Sequence, residues 1–202
     1  MADVAGTTSG QGAIAVGRPR DPAVTRRVLL SALELFGRSG FAGVTMADVA
    51  REAAVGLDTI YRRWPSKQAL LVDVVASAVT DAVQVPDTGE VEQDLRTIVR
   101  SLARTVEGRL GQVIATAIAE TALDRELLGQ LATAQLRRRD LTRVVLTRAV
   151  ERGELPPSTQ ADLALDLLSG LVWQRVFVTG TQLTDDDVAV AVRLLLAGLR
   201  SA

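Results

Sequence analysis

The chain has 202 residues, 48% of them apolar, which is enough to bury a substantial core and too apolar for wholesale disorder. Its 23 basic and 24 acidic side chains leave a formal net charge of -1, and with no Cys and no His it has no means of making a disulfide, a thiolate or imidazole metal site, a Ser-His-Asp triad or a Cys-His pair. The charge is unevenly spread: residues 17–71 hold nine basic and five acidic side chains, residues 72–202 fourteen and eighteen, so a basic front end precedes a mildly acidic body.

Residues 1–16 are rich in Gly, Ala, Ser and Thr without a periodic apolar face, which predicts a disordered tail. They lack the basic and long apolar regions of a signal peptide, so a cytoplasmic protein is expected. Arg18 and Arg20 follow in a proline-stiffened stretch, and residues 1–21 together read as a flexible basic arm. Asp21-Pro22 starts a helix with Val28, Leu29, Ala32, Leu33, Leu35 and Phe36 at helical spacing, and Ser39-Gly40 stops it. Thr45 with Asp48 has capping-box spacing ahead of a short helix, Ala54-Val55-Gly56 supplies a turn, and a second short helix runs from Leu57 to Trp64 until Pro65 stops it.

Beyond Ser66 every periodic segment fits a spacing of three and four, so the body reads as all helix. Helices are expected at 66–83, 91–107, 112–122, 125–152, 159–178 and 185–199. The most apolar stretches, 161–178 and 188–199, are interrupted by Asp162, Asp166 and Arg175 or are too short to span a bilayer, so no membrane partner is expected.

Three helices, the last two joined by a tight turn, make a helix-turn-helix pattern. The string Thr45 to Leu71, with Asp48-Val49-Ala50, Thr59-Ile60-Tyr61, Trp64 and Pro65-Ser66-Lys67, resembles the N-terminal domain of TetR-type transcriptional regulators. The resemblance implies an all-α protein: a DNA-binding domain at 22–71 followed by a ligand-binding and dimerisation bundle at 72–202. It also implies a sequence-specific DNA-binding regulator and not an enzyme, a dimeric repressor released from double-stranded operator DNA by an apolar small molecule. No cofactor, metal or catalytic residue follows from it.

Within that frame Tyr61 and Lys67 match positions that contact DNA phosphates, Thr45 offers a hydroxyl and a helix N-terminus, and Gly56, the cap of the next helix, is counted with the DNA-binding residues. Leu57, Thr59, Arg62 and Arg63 are candidate base readers, with Arg18 and Arg20 in an arm reaching the backbone or minor groove. Arg62 and Arg63 also fit a solvated helix face, and Tyr61 a core aromatic with a wet hydroxyl. Three departures stand out: the family's turn glycine is Ala54, its usual Ser or Thr cap is Gly56, and a small residue is replaced by Asp58.

The last two helices are apolar around most of their circumference, which calls for a second burial partner such as a two-fold copy. Leu167, Leu171, Val192, Leu195 and Leu196 are the expected interface. Leu102, Val106, Leu110, Ile114, Ile118, Leu141, Trp173 and Phe177 are candidate walls of an effector pocket, or simply core, and Glu120, Asp124 and Arg104 are candidate polar anchors or equally solvated charges. Arg137, Arg138 and Arg139 cannot share one helix face and read as solvated or salt-bridged. A carboxylate-only enzyme and a helical scaffold retaining the motif are the rival classes.

Overall fold

The computed structural model describes residues 21–201; the expected tail, Arg18 and Arg20 lie outside them. α1 (Pro22–Ser39) is capped by Asp21, whose carboxylate accepts from the Ala23 N–H at 2.9 Å, and Pro22 sits in the first turn, where no helical N–H is missed. α2 (Met46–Glu52) starts in a reciprocal box: the Asp48 N–H donates to Thr45 Oγ1 at 3.1 Å and the Thr45 N–H to Asp48 Oδ2 at 2.9 Å.

Ala54 turns the chain at φ 50°, the left-handed region, where a Cβ costs free energy that glycine avoids. It is the sole non-glycine residue at positive φ among the described residues. α3 (Leu57–Tyr61) is shorter than the expected 57–64, because Pro65 biases Trp64 away from helical geometry. The Arg63 and Trp64 N–H groups still both donate to Ile60 O at 2.9 Å, so a turn continues the helix to the proline. Val28, Val49, Ala53 and Ile60 are fully buried where the three helices meet.

Ser66 caps α4 (Lys67–Asp81), which packs on α1, α6 and α7. The boundary expected between residues 71 and 72 therefore falls inside a continuous helix. α5 (Val91–Glu107) and α6 (Arg109–Thr121) reverse at Gly108, and α6 begins three residues earlier than expected. A Cβ on Gly111 would stand 1.7 Å from Val106 O, so this sharp reversal demands glycine.

Asp124 caps the long α7 (Arg125–Glu151) by accepting from the N–H groups of Glu126 and Leu127. α8 (Ala161–Trp173) was expected to run on to 178; instead residues Gln174–Thr179 widen into a π-helical turn that ends at Gly180, φ 65°. Trp173 and Phe177 stack across that widened turn with ring centroids 4.7 Å apart. α9 (Asp185–Ser201) opens on its own box, the Asp187 N–H donating to Thr184 Oγ1 and the Thr184 N–H to Asp187 Oδ2, both at 3.1 Å. Among the described residues there is no strand and no helix long and apolar enough to cross a membrane.

Val192 and Leu196, expected at a dimer interface, are fully buried within the chain's own core. The apolar circumference of α9 has a simple division. One side packs on α5 and α8, and the opposite side carries Val190 and Leu194 into solvent.

Candidate nucleic-acid interface and ligand cavity

On α3 and at its flanking caps, Gly56, Leu57, Asp58, Tyr61 and Arg62 are exposed and Thr59 is half-buried, while Ile60 points inward. Half of the Tyr61 side chain meets solvent, so it is not a core aromatic. Among the described residues the Arg62 side chain makes no hydrogen bond or ion pair. Arg63 differs. Its guanidinium donates to Thr25 Oγ1 and, at 3.4 and 3.5 Å, to the Asp21 carbonyl, tying the end of α3 to the start of α1.

Lys67 is likewise engaged: Nζ donates to the carbonyls of Phe41 and Val44 at 2.8 and 2.9 Å and lies 4.2 Å from the Phe41 ring centroid. It clamps the α1–α2 loop, a role that residue type alone does not reveal. Thr45 is exposed at the N-terminus of α2, its hydroxyl donating to Asp48 Oδ2 at 2.6 Å. That hydroxyl, the Thr45 N–H and Arg51 hold the Asp48 carboxyl down at a pKa of about 2.

The turn that ends α3 is fastened to α4, the Trp64 indole N–H donating to Asp73 Oδ2 at 2.7 Å; in the helix-turn-helix pattern α3 is the recognition helix. Two residues further along α4, Val75 and then Val79 line a cavity of about 620 Å3 enclosed with α5, α6, α7 and α8. Of the expected walls, Leu102, Ile114, Ile118 and Trp173 line it. Val106 lines a small adjoining void of about 20 Å3, and Phe177 packs against Trp173 instead of the cavity. Leu110 is partly buried against the core, and Leu141 faces outward, 41% exposed.

Of the two readings for the charged residues the solvated one fits: Asp124 caps α7, Glu120 accepts from Gln68 at 3.5 Å on the surface, and exposed Arg104 does not line the cavity. The polar groups present are Gln135, Arg138, Arg139, Thr142, Asp166 and Ser169. The arginine triplet divides among three environments. Arg137 is exposed, Arg139 pairs with Asp166 at 3.2 Å and approaches Asp162 at 3.8 Å, and Arg138 turns into the cavity wall. Sequence carried a signal for this: Leu131, Gln135, Arg138, Thr142 and Val145 recur every three or four residues, placing polar side chains on the inner stripe of α7.

Residues 28–74 match the model for bacterial regulatory proteins of the tetR family, and residues 85–195 the model for the tetracyclin repressor-like C-terminal domain. The chain belongs to the TetR family. It is 33% identical over 186 residues to the HTH-type transcriptional regulator YdeS of Bacillus subtilis, covering 92% of this chain and 94% of that protein. It is also 30% identical over 172 residues to the HTH-type transcriptional regulator AqdR of Rhodococcus erythropolis, covering 85% and 83%. The crystal structure of the TetR family transcription regulator SCO0332 superposes with a TM-score of 0.76 at 31% identity, over 87% of this chain and 97% of that one. This TetR-family protein is a DNA-binding transcriptional regulator with the helix-turn-helix as its DNA module.

In this regulator the outer faces of α8 and α9 carry Leu163, Leu167, Val190 and Leu194, between 45% and 70% exposed. Gly170 and Gly198 lie on the same solvent-facing sides, with open space around them. Leu171 and Leu195 are half-buried at the edges of these faces.

Proposed function

We propose that the protein is a dimeric repressor that a largely apolar small molecule releases from operator DNA. One observation carries the reading: a single helix, α4, is hydrogen-bonded through Asp73 to the end of the recognition helix and lines the cavity through Val75 and Val79. Any ligand that repositions α4 repositions α3.

Dimerisation makes that movement matter. Two recognition helices read successive major-groove half-sites only when about 34–36 Å apart. The exposed apolar faces of α8 and α9, with glycines that permit close helix approach, support a four-helix interface between two copies. Tyr61 and Thr45 serve as backbone contacts and Arg62, Leu57 and Thr59 as base readers, since these side chains are exposed or half-buried on α2 and α3. Lys67 and Arg63 act chiefly by holding α1 to α3 in place.

Release follows from linkage. An effector lowers operator affinity only by binding the splayed dimer better than the DNA-competent one, and a shift from about 1:99 to 99:1 takes about 5.5 kcal/mol of differential affinity. The test is fluorescence anisotropy on duplex DNA from upstream of the protein's own coding sequence, with and without compounds that raise its melting temperature. Weaker DNA binding with at least one such compound, and weaker compound binding to the DNA complex, support the reading. Equal affinities throughout would remove effector control.

A further inference from the structure

Among the described residues Arg138 is a cation without an acidic partner, on the wall of a mainly apolar cavity. Its recorded contacts are neutral: Nε donates to Gln135 Oε1 at 3.4 Å and Nη2 to Ser169 Oγ at 3.3 Å. Asp166, the one carboxylate lining the cavity among the described residues, is held by Arg139. The cavity therefore carries one uncompensated positive charge, and burial pushes the Arg138 guanidinium below its ordinary pKa, the signature of a charge that pays for desolvation without an ion pair.

The surroundings of that charge are donors. Ser169 and Gln135 receive Arg138 on their oxygens, which leaves the Ser169 O–H and the Gln135 amide N–H groups free, alongside Nη1. Asp166, one turn before Ser169 on α8, pairs with Arg139, and among the described residues no carboxylate forms an ion pair with Arg138. The opposite walls, Val75, Val79, Ile98, Leu102 and Ile114, offer no hydrogen bonds at all. The volume lies within the range of about 300–1,000 Å3 typical of small-molecule sites.

We propose that the effector is an amphipathic anion, an apolar body of α4–α6 contacts with one carboxylate-like group seated on Arg138, Ser169 and Gln135. This rests on the reading of the cavity as the effector site. A planar guanidinium suits a carboxylate because two parallel N–H donors match its two oxygens, and desolvation strengthens the pairing. The neutral amide of the same shape brings its own N–H groups against donors and is rejected.

The test uses the full chain without DNA and two acid–amide pairs, 2-naphthoate with 2-naphthamide and octanoate with octanamide, titrated by calorimetry up to millimolar concentration. Wild type should bind the acid of at least one pair tenfold or more tightly than its amide. Arg138→Gln should remove that preference, and Arg137→Gln, altering the exposed neighbour on the same helix, should retain it. In the ligand-free protein Arg138→Met should raise the melting temperature by about 2–4 °C, as relief of an unpaired charge requires. Equal binding of acid and amide, no binding of any of the four, a preference surviving Arg138→Gln, or a lowered melting temperature in Arg138→Met would each overturn the proposal. Operator binding by the same preparation is measured separately, so loss of anion preference with intact DNA binding defeats this inference and leaves the regulator reading standing.

Discussion

The Trp64 indole N–H donates to the Asp73 carboxylate at 2.7 Å, joining the end of the recognition helix to the helix that lines the cavity. Trp64 itself is buried, so the bond fixes the orientation of a residue packed beneath α3. Asp73→Ala leaves the indole N–H without its charged acceptor and should lower stability by about 1 kcal/mol in denaturant unfolding. Operator affinity should fall with it. Asp73→Asn, which keeps an acceptor oxygen, should lose less in both measurements.

Ala54 holds φ 50° in the turn between α2 and α3. Ala54→Gly removes the Cβ from a left-handed position, and the gain exceeds the entropy glycine adds to the unfolded chain. Stability should rise by about 0.5–1 kcal/mol, with operator affinity unchanged. A fall in stability would mean that Ala54 is relaxed there.

The basic and aromatic residues of the DNA module should separate into braces and readers. Lys67→Met strips a charged donor from two carbonyls and should lower stability by about 2 kcal/mol together with affinity. Arg62→Ala should leave stability within about 0.5 kcal/mol while narrowing the gap between right and wrong sites by about 1–3 kcal/mol. Tyr61→Phe should weaken binding equally on both sites. Uniform losses of stability and selectivity from all three would erase the division.

The Asp48 carboxyl titrates at about 2 in the folded protein against an ordinary value of 3.8, because the Thr45 hydroxyl, the Thr45 N–H and Arg51 favour its charged form. A lowered folded-state value means that this contribution is fully present above pH 4 and lost as pH falls towards 2. Asp48→Asn should therefore flatten part of the acid side of the stability curve, measured as the urea midpoint between pH 5 and pH 2. An unchanged slope would show that the box does not couple folding to protonation.

The exposed faces of α8 and α9 predict that Leu194→Arg or Leu167→Arg gives folded monomers by sedimentation, while Val192→Arg and Leu196→Arg, burying a charge in the chain's own core, give insoluble protein. Sedimentation of wild type as a monomer at micromolar concentration would defeat the dimer.

The helices and the DNA module were legible because their signals are local: capping residues Asp21, Thr45 and Ser66, the stop at Pro65, and a three-four apolar period. What was hidden was which way a side chain turns. α9 is apolar on two sides, and hydrophobicity alone does not separate Val192, facing its own core, from Val190, facing out. Lys67 and Arg63 have the residue types of DNA contacts, yet their partners, Phe41, Val44, Thr25 and Asp21, lie 23 to 42 positions away in sequence. Arg138, read from sequence as solvated or salt-bridged, instead faces the cavity; its spacing from Leu131 and Gln135 carries that signal, but its meaning depends on the cavity that α4, α5, α6 and α8 complete around it.

Selection from a pool of random duplex DNA tests the central claim most directly. The purified wild-type protein should enrich a two-fold-symmetric site whose half-sites are centred about one helical turn, 34–36 Å, or a multiple of it apart. Arg62→Ala should relax the selected sequence, and Leu194→Arg should abolish the symmetric pair. A pool that emerges with no preferred sequence would contradict the account.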